Sequence, residues 1–330
     1  MRALERLEEL YAIGGGPGAN RIGYSPEEDE AHAVARGWLD EVGLEVRVDE
    51  AGNTFAGSDR VWTGSHLDSV PQGGKFDGAL GVVAAIEAVE RAGRGTVAIF
   101  REEERGCVGS RAFVGRGPLP EAFVELHIEQ GPRLAAAGAP VGVVVGIVGY
   151  ARGEVVVDGA AGHAGTTPME LRDDALVKAA RRIVLLEEEA RRIPDAVATV
   201  GRIEVEPGGV NVIPGRVRYS VDVRAPDQER LDRLIVLAGI DHSHAVPPVE
   251  MTPSVTGALR AEVESRGLPV IELASGAGHD AGVLARAGVP TGMLFVRSLN
   301  GGVSHSPDEL SSAEDIQLAI DVLAAALGRL

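Results

Sequence analysis

One glycine-rich stretch, Gly64-Ser65-His66-Leu67-Asp68-Ser69-Val70-Pro71-Gln72-Gly73-Gly74-Lys75-Phe76-Asp77-Gly78, sets an imidazole and two carboxylates among turn-forming residues. An imidazole nitrogen can bind a divalent metal. A carboxylate two residues on, Asp68, can hold the other ring nitrogen, and a second, Asp77, can bridge two ions. A solvated Gly/Asp turn has the same composition, so the decision rests with the rest of the chain. Glu102-Glu103-Glu104 follows an apolar run ending at Phe100. On a bare surface three adjacent acids are simply solvated. Beside a metal, one can ligate while its neighbour acts as general base. His127, in Leu126-His127-Ile128-Glu129-Gln130-Gly131-Pro132, and His305, in Gly302-Val303-Ser304-His305-Ser306-Pro307-Asp308-Glu309, follow strand-like runs. A lone histidine there is more often structural than ligating. Together His66, Asp77, Glu104, His127 and His305 form a His-rich donor set joined by a carboxylate, which suits Zn²⁺ or a similar divalent ion.

Such a set needs elements that deliver it to one edge. The runs Val61-Trp62-Thr63, Thr96-Val97-Ala98-Ile99-Phe100, residues 123–127, 141–148 and 291–296 read as buried strands. Between them lie helical patterns at residues 25–42, opened by Ser25-Pro26, and from Ala79 to Val89. Residues 44–48 alternate like a half-buried strand. Strands alternating with helices predict an α/β domain with a mostly parallel core sheet and helices on both faces. In such sheets ligands bind beyond the carboxyl ends of the strands, where every candidate ligand is expected.

After Gly149 the pattern changes. A strand (154–158), a long helix (168–192), two strands (198–206 and 216–224), a helix (227–237) and a strand (242–250) follow. That β-α-β-β-α-β order predicts an inserted ferredoxin-like α+β domain over residues 150–251. The first domain then comprises 1–149 and 252–330. It resumes with helices at 259–266 and 279–287 and a last helix opened by a Ser311-Ser312-Ala313-Glu314 capping box.

The 330 residues suffice for two domains, and 45% apolar with 25% charged residues is an ordinary globular balance. A net charge of −17 argues against nucleic acid or an anionic membrane as partner. The single cysteine, Cys107, rules out an internal disulfide framework and fits a reducing compartment. An acid-interrupted amphipathic N-terminal helix and the lack of a long apolar run lead us to expect a cytoplasmic protein.

With these motifs in view, the chain resembles the two-metal aminoacylase/peptidase superfamily. Within it, it is similar to the N-carbamoyl-L-amino-acid hydrolase (hydantoinase/carbamoylase-type amidase) family, which includes allantoate amidohydrolase and β-ureidopropionase. The resemblance covers nearly the whole chain. It runs from Arg21-Ile22-Gly23-Tyr24-Ser25 through the His66 loop, Glu103-Glu104 and His127-Ile128-Glu129-Gln130-Gly131-Pro132. It continues through Gly162-His163-Ala164-Gly165-Thr166-Thr167-Pro168-Met169, Asn211-Val212-Ile213-Pro214-Gly215 and Ser275-Gly276-Ala277-Gly278-His279-Asp280 to Ser304-His305-Ser306-Pro307. The resemblance implies a hydrolase that cleaves the ureido C–N bond of an N-carbamoyl-L-amino acid or related ureido acid. The same metal site would also serve an aminoacylase or a dipeptidase.

It further implies two divalent ions per subunit (Zn, Mn, Co or Ni). His66, Asp77 and His127 would hold one, and Asp77, Glu104 and His305 the other. Glu103 would be the general acid/base and Asp68 would orient His66. His163 would steady the oxyanion, while Asn211 and Arg224 would grip the substrate carboxylate. These three belong to the inserted lid/dimerisation domain, and in the family such positions reach the active site of the partner in a homodimer. Gln130 and His279 would line the pocket. Without the resemblance, His163 and Asn211 read equally well as turn residues and Arg224 as a surface charge. The three successive glutamates allow a second register, Glu102-Glu103, for the base and ligand. His242 and His244 take no role.

Overall fold

The computed structural model describes residues 2–116 and 118–330. They fall into two compact units, one comprising the chain up to Gly146 together with Glu250–Leu330, the other Ile147–Val249.

The first unit is built on a twisted sheet. Its order runs Val46–Val48, Thr54–Ala56, Thr96–Phe100, Val61–His66, Ala122–Ile128, Thr291–Val296, Val141–Ile147. The four central strands, Thr96–Phe100 through Thr291–Val296, are parallel. The flanking strands Thr54–Ala56 and Val141–Ile147 pair antiparallel. The core is thus mainly parallel, as the alternation of strands and helices predicts.

Side chains alternate between the two faces. Val61, Val97, Ile99, Val124 and Leu126 enter a core with the helices Arg2–Ala12, Pro26–Glu41, Ala79–Ala92 and Ala313–Leu327. Trp62, Phe100 and Phe123 point the other way, into an aromatic cluster with Phe55 and Phe113. There the short helices Val108–Val114 and Asp280–Arg286 pack. His66 and His127 alternate in step with Trp62 and Phe123, so both project from this second face. Helix Ala79–Ala92 anchors the arrangement. Its Leu80, Val82, Val83 and Ile86 are fully buried, and each such side chain contributes about 1.5–3 kcal/mol.

Several local expectations need correction. The strand continues through Gly64 and Ser65 to His66 instead of yielding to a loop at Gly64. Gly64 permits this because a Cβ there would lie 1.7 Å from the Ala98 carbonyl oxygen on the neighbouring strand. The long helix of the second unit starts at Ala175, not 168, because the Asp174 side chain caps the N–H groups of Leu176 and Val177. Residues 198–206 and 242–250 each split into two short strands. The final helix is capped by Ser312 receiving the Asp315 N–H, while Ser311 binds the Arg297 carbonyl. The helix expected at 259–266 begins at Pro253, and the strand Glu272–Ser275 carries no pattern long enough to announce itself.

In the second unit the strands Ile203–Glu206, Arg216–Ala225, Gly149–Asp158 and Ala245–Val246 are ordered as named, with Val197–Thr199 also on Arg216–Ala225. All these pairs are antiparallel. Arg216–Ala225 buries alternate residues, Val217, Tyr219, Val221 and Val223, against helices Ala175–Arg192 and Gln228–Ala238. No helix among the described residues is long and apolar enough to cross a membrane.

Candidate metal centre

Three adjacent parallel strands deliver the donors. His66 ends Val61–His66, His127 lies near the end of Ala122–Ile128, and Glu103 and Glu104 follow Thr96–Phe100 after Arg101 and Glu102. The loop after His66 returns Asp77 to the same place. It stops at Gly78, whose left-handed backbone (φ 62°) opens helix Ala79–Ala92. A Cβ on Gly78 would come within 2.4–2.6 Å of the His66 ring. Gly78→Ala is therefore expected to displace the imidazole as well as strain the backbone. Turnover should fall by about 10²-fold, the cost of roughly an ångström of misplacement, with circular dichroism unchanged and less Zn²⁺ retained per chain.

Asp77 is the centre of the cluster. Its Oδ1 lies 3.1 Å from His127 Nε2 and 3.9 Å from His66 Nε2. Its Oδ2 lies 3.3 Å from His305 Nε2, which is 3.5 Å from Glu104 Oε2. One carboxylate thus faces two donor groups, His66/Asp77/His127 and Asp77/Glu104/His305, and within each group the ligand atoms lie within 4.8 Å of one another. The other ring nitrogens are held from behind. His66 Nδ1 is 3.1 Å from Asp68 Oδ1, and His127 Nδ1 is 3.0 Å from the Ile128 carbonyl. These acceptors bind the Nδ1 hydrogens and turn both Nε2 atoms toward Asp77. His66 Nε2, His127 Nε2 and Glu104 Oε1 are buried and find no well-formed hydrogen bond among the described residues. Buried polar atoms are rarely left unpaired, and this donor set fits a divalent cation.

Asp68 does more than orient His66. Its carboxylate accepts the backbone N–H groups of Glu103 (2.9 Å) and Glu104 (3.1 Å), which sets the turn carrying both acids. Glu102 faces elsewhere and pairs with Arg105 at 2.8 Å. Of the two registers, Glu103-Glu104 is the pair at the cluster. Glu103 Oε2 lies 3.8 Å from His66 Nε2, and its Oε1 accepts the Cys107 thiol at 3.6 Å. Burial pushes the Glu103 carboxyl well above its usual range. Burial and the charge of Asp77 raise Glu104 to about 7. Burial acts to raise Asp77 as well, but the imidazoles of His127 and His305 hold it well below the usual carboxylate range. The hydrogen bond to Asp77 raises His305 to about 9.

A metal held by Glu104 and His305 would have to displace the protons on both. Affinity for Zn²⁺ is expected to weaken as pH falls from 9 to 7, with His305 releasing its proton, and more steeply below 7, where Glu104 also has one to lose. Titration calorimetry in buffers of different ionisation enthalpy reads this directly. Zn²⁺ binding without proton release at pH 6.5 would contradict it.

The remaining candidates are placed as follows. The Gln130 amide donates to Asp77 Oδ2 (2.9 Å) and to Ser304 Oγ (3.2 Å), so it braces the cluster. His279 is buried edge-on to His127 with ring centroids 4.5 Å apart, and its Nε2 is 2.8 Å from Ser275 Oγ. In the second unit, Val212 pairs with His163 on a two-stranded ribbon, which places Asn211 beside it. The Ala164 N–H donates to the Asn211 carbonyl. Both His163 and Asn211 are exposed. Arg224 pairs with Asp222 through Nε at 3.0 Å and Nη2 at 3.2 Å. His242 lies near Asp232 on the surface, and His244 beside Ser243.

The family model for peptidase family M20/M25/M40 matches residues 62–329. The chain belongs to this family. An N-carbamoyl-L-amino acid amidohydrolase of Geobacillus stearothermophilus is 36% identical, with 98% of this chain and 96% of the relative covered. An allantoate amidohydrolase of Bacillus subtilis is 32% identical over 97% of this chain and 94% of its own length. A hydantoinase/carbamoylase family amidase from Burkholderia multivorans superposes with a TM-score of 0.88 at 32% identity, covering 99% of this chain and 97% of that one. The M20 family is metal-dependent, and the two groups that share Asp77, together with a third, Glu125/His127/His279, are where this member could hold metal.

Sequence reasoning missed Glu125 and Cys107. Glu125 accepts Ser65 Oγ at 2.7 Å and the Ala281 N–H at 2.8 Å, tying the strand that carries His127 to the start of helix Asp280–Arg286. The signal was available. A glutamate two residues before His127 shares its strand face, inside a strand whose every residue is buried. Cys107 gave no signal, because its contact with Glu103 depends on a left-handed turn (φ 56°) that nothing in its neighbours dictates.

Proposed function

We propose that this M20 member hydrolyses the ureido C–N bond of an N-carbamoyl-L-amino acid or a related ureido acid such as allantoate, ureidoglycolate or β-ureidopropionate. The observation that carries the reading is the Asp77 carboxylate, which divides its oxygens between two donor groups with Glu103 beside them. The amidohydrolase relatives, covered almost end to end, support the same chemistry.

His66, Asp77 and His127 would hold one divalent ion and Asp77, Glu104 and His305 the second. Such ions lower the pKa of water and polarise the carbonyl it attacks. Glu103 takes the proton from the attacking water and returns it to the leaving nitrogen. Burial raises its pKa, the direction in which catalytic carboxyls are tuned for general acid–base work. Asp68 keeps the Glu103–Glu104 turn and the His66 ring in register. Substrate then yields ammonia, carbon dioxide and the amino acid or its analogue.

The second unit is read as a ferredoxin-like lid and dimerisation domain. One face of helix Ala175–Arg192 exposes Val177 (44%), Val184 (54%) and Leu185 (55%), an apolar row that a second copy would cover. In that homodimer His163, Asn211 and Arg224 of one subunit complete the partner's site. His163 offers a donor to the developing oxyanion, and Asn211 and Arg224 bind the substrate carboxylate. Arg224 must then loosen its hold on Asp222. A monomer in sedimentation equilibrium, fully active at nanomolar concentration, would remove this part of the reading.

The deciding experiment is ammonia release by the purified, metal-reconstituted protein. Substrates are N-carbamoyl-L-amino acids, N-carbamoyl-β-alanine, allantoate and ureidoglycolate. N-acetyl amino acids and dipeptides serve as controls scored by free amine. Metal-dependent ammonia from a ureido acid is the expected result. Free amine from the controls, with no ammonia, would instead assign an aminoacylase or dipeptidase.

A further inference from the structure

Glu309 has no part in the chemistry above, yet its carboxylate is 5% exposed and fully engaged. Oε1 accepts the backbone N–H of Phe76 at 2.7 Å and of Asp77 at 3.0 Å. Oε2 accepts the Ser304 hydroxyl at 2.8 Å. One side chain therefore joins two segments far apart in sequence, the loop that ends in Asp77 and the loop that presents His305. The His305 loop otherwise closes on itself, through Leu299 N–H to the Leu310 carbonyl (2.7 Å) and Asn300 to the Asp308 carbonyl (2.9 Å). Around Asp77 the bonds form a chain. Gln130 donates to Asp77 Oδ2 and to Ser304 Oγ, and Ser304 donates to Glu309. Glu309 thus fixes the main chain of Asp77 while the Gln130–Ser304 pair fixes its carboxylate.

A second observation points to the same contact. A Cβ on Gly74 would lie 2.1–2.4 Å from the Glu309 carboxylate atoms. The backbone of Gly74 is not left-handed, so its conformation does not require glycine; the neighbouring carboxylate does.

We propose that Glu309 is a positioning residue of the metal centre, setting Asp77 in register against His305, and that Gly74 is glycine so that this carboxylate can reach its donors. The proposal rests on the two-ion reading of the site. Glu309 touches no reacting atom in it and acts through Asp77 and Ser304. Partners behind a ligand typically change metal affinity by roughly 10–100-fold. The ion between Asp77, Glu104 and His305 should feel the loss most, because both of its loops meet at Glu309.

The test titrates Zn²⁺ into wild type, Glu309→Ala, Glu309→Gln and Gly74→Ala against a competing chelator, and records the melting temperature of each metal-free chain. Glu309→Ala and Gly74→Ala are each expected to weaken the second Zn²⁺ by roughly 10–100-fold relative to the first. Glu309→Gln, which keeps an acceptor for the two backbone N–H groups, should restore most of the loss. A merely structural brace would lower the melting temperature and leave the ratio of the two Zn²⁺ constants at the wild-type value. That result in Gly74→Ala and Glu309→Ala overturns the proposal. If Glu309→Ala does not fold, Gly74→Ala decides alone. A wild-type chain that binds a single ion counts against the two-ion reading; the clamp is then judged on that ion, since Asp77 belongs to either group, and an unchanged constant in Gly74→Ala overturns it.

Discussion

With Glu103 as the proposed general acid–base, Glu103→Gln is expected to keep its metal and its fold and lose turnover by roughly 10²–10⁴-fold, the usual contribution of such a group. The substitution is isosteric and retains an acceptor for the Cys107 thiol, which now contacts Oε1. It leaves the two donor groups intact, because Glu103 belongs to neither. What it removes is the ability to take a proton from water and pass it on. The loss should therefore appear in kcat, with little change in KM, because the interaction is made in the transition state. Zn²⁺ per chain by atomic emission and ammonia release on one sample separate the two effects. Retained turnover would transfer the proton to another acid; Glu104, about 7 by burial and Asp77, would be examined next.

On the two-ion reading, Asp77→Asn is expected to strip both ions, whereas Glu104→Gln is expected to strip only one. Asp77 is the residue common to the two donor groups, and its carboxylate is the group that His66, His127 and His305 all approach. An amide of the same shape carries no charge and offers one acceptor oxygen instead of two. The loss of affinity should exceed the roughly 10–100-fold caused by removing a mere supporting partner. Glu104 belongs only to the His305 group, so its loss should leave the buried His66/His127 position able to hold Zn²⁺. Chelator competition on the two variants gives the comparison. If Asp77→Asn keeps one tightly bound ion, Asp77 ligates at a single position and does not bridge.

Much of this was legible before any fold was known, for reasons that can be named. Thr96–Phe100 and Thr291–Val296 occupy the predicted residues because a continuous apolar run of that length, bounded by Gly, Pro or charge, has few alternatives. The ligand set could be proposed because histidines and acids that follow buried strands must emerge along one edge of a parallel sheet. Boundaries were less legible where a side chain made the decision. Asp174 as cap moved the start of a helix, and the loss of Cβ at Gly64 let a strand run on to His66.

The sequence by itself determined the alternating strands and helices, the candidate donor residues and the family motifs, since each is a property of residue type and local spacing. Only the tertiary structure decided which two of three adjacent glutamates face the cluster. That choice depends on Asp68, far back in the chain, accepting the N–H groups of Glu103 and Glu104. Only the tertiary structure brought Glu309 to the backbone of Asp77 and gave Gly74 its reason to lack a side chain. These are contacts between segments distant in sequence. Local periodicity carries no record of such contacts, because the same residue pattern folds equally well whichever distant group it meets.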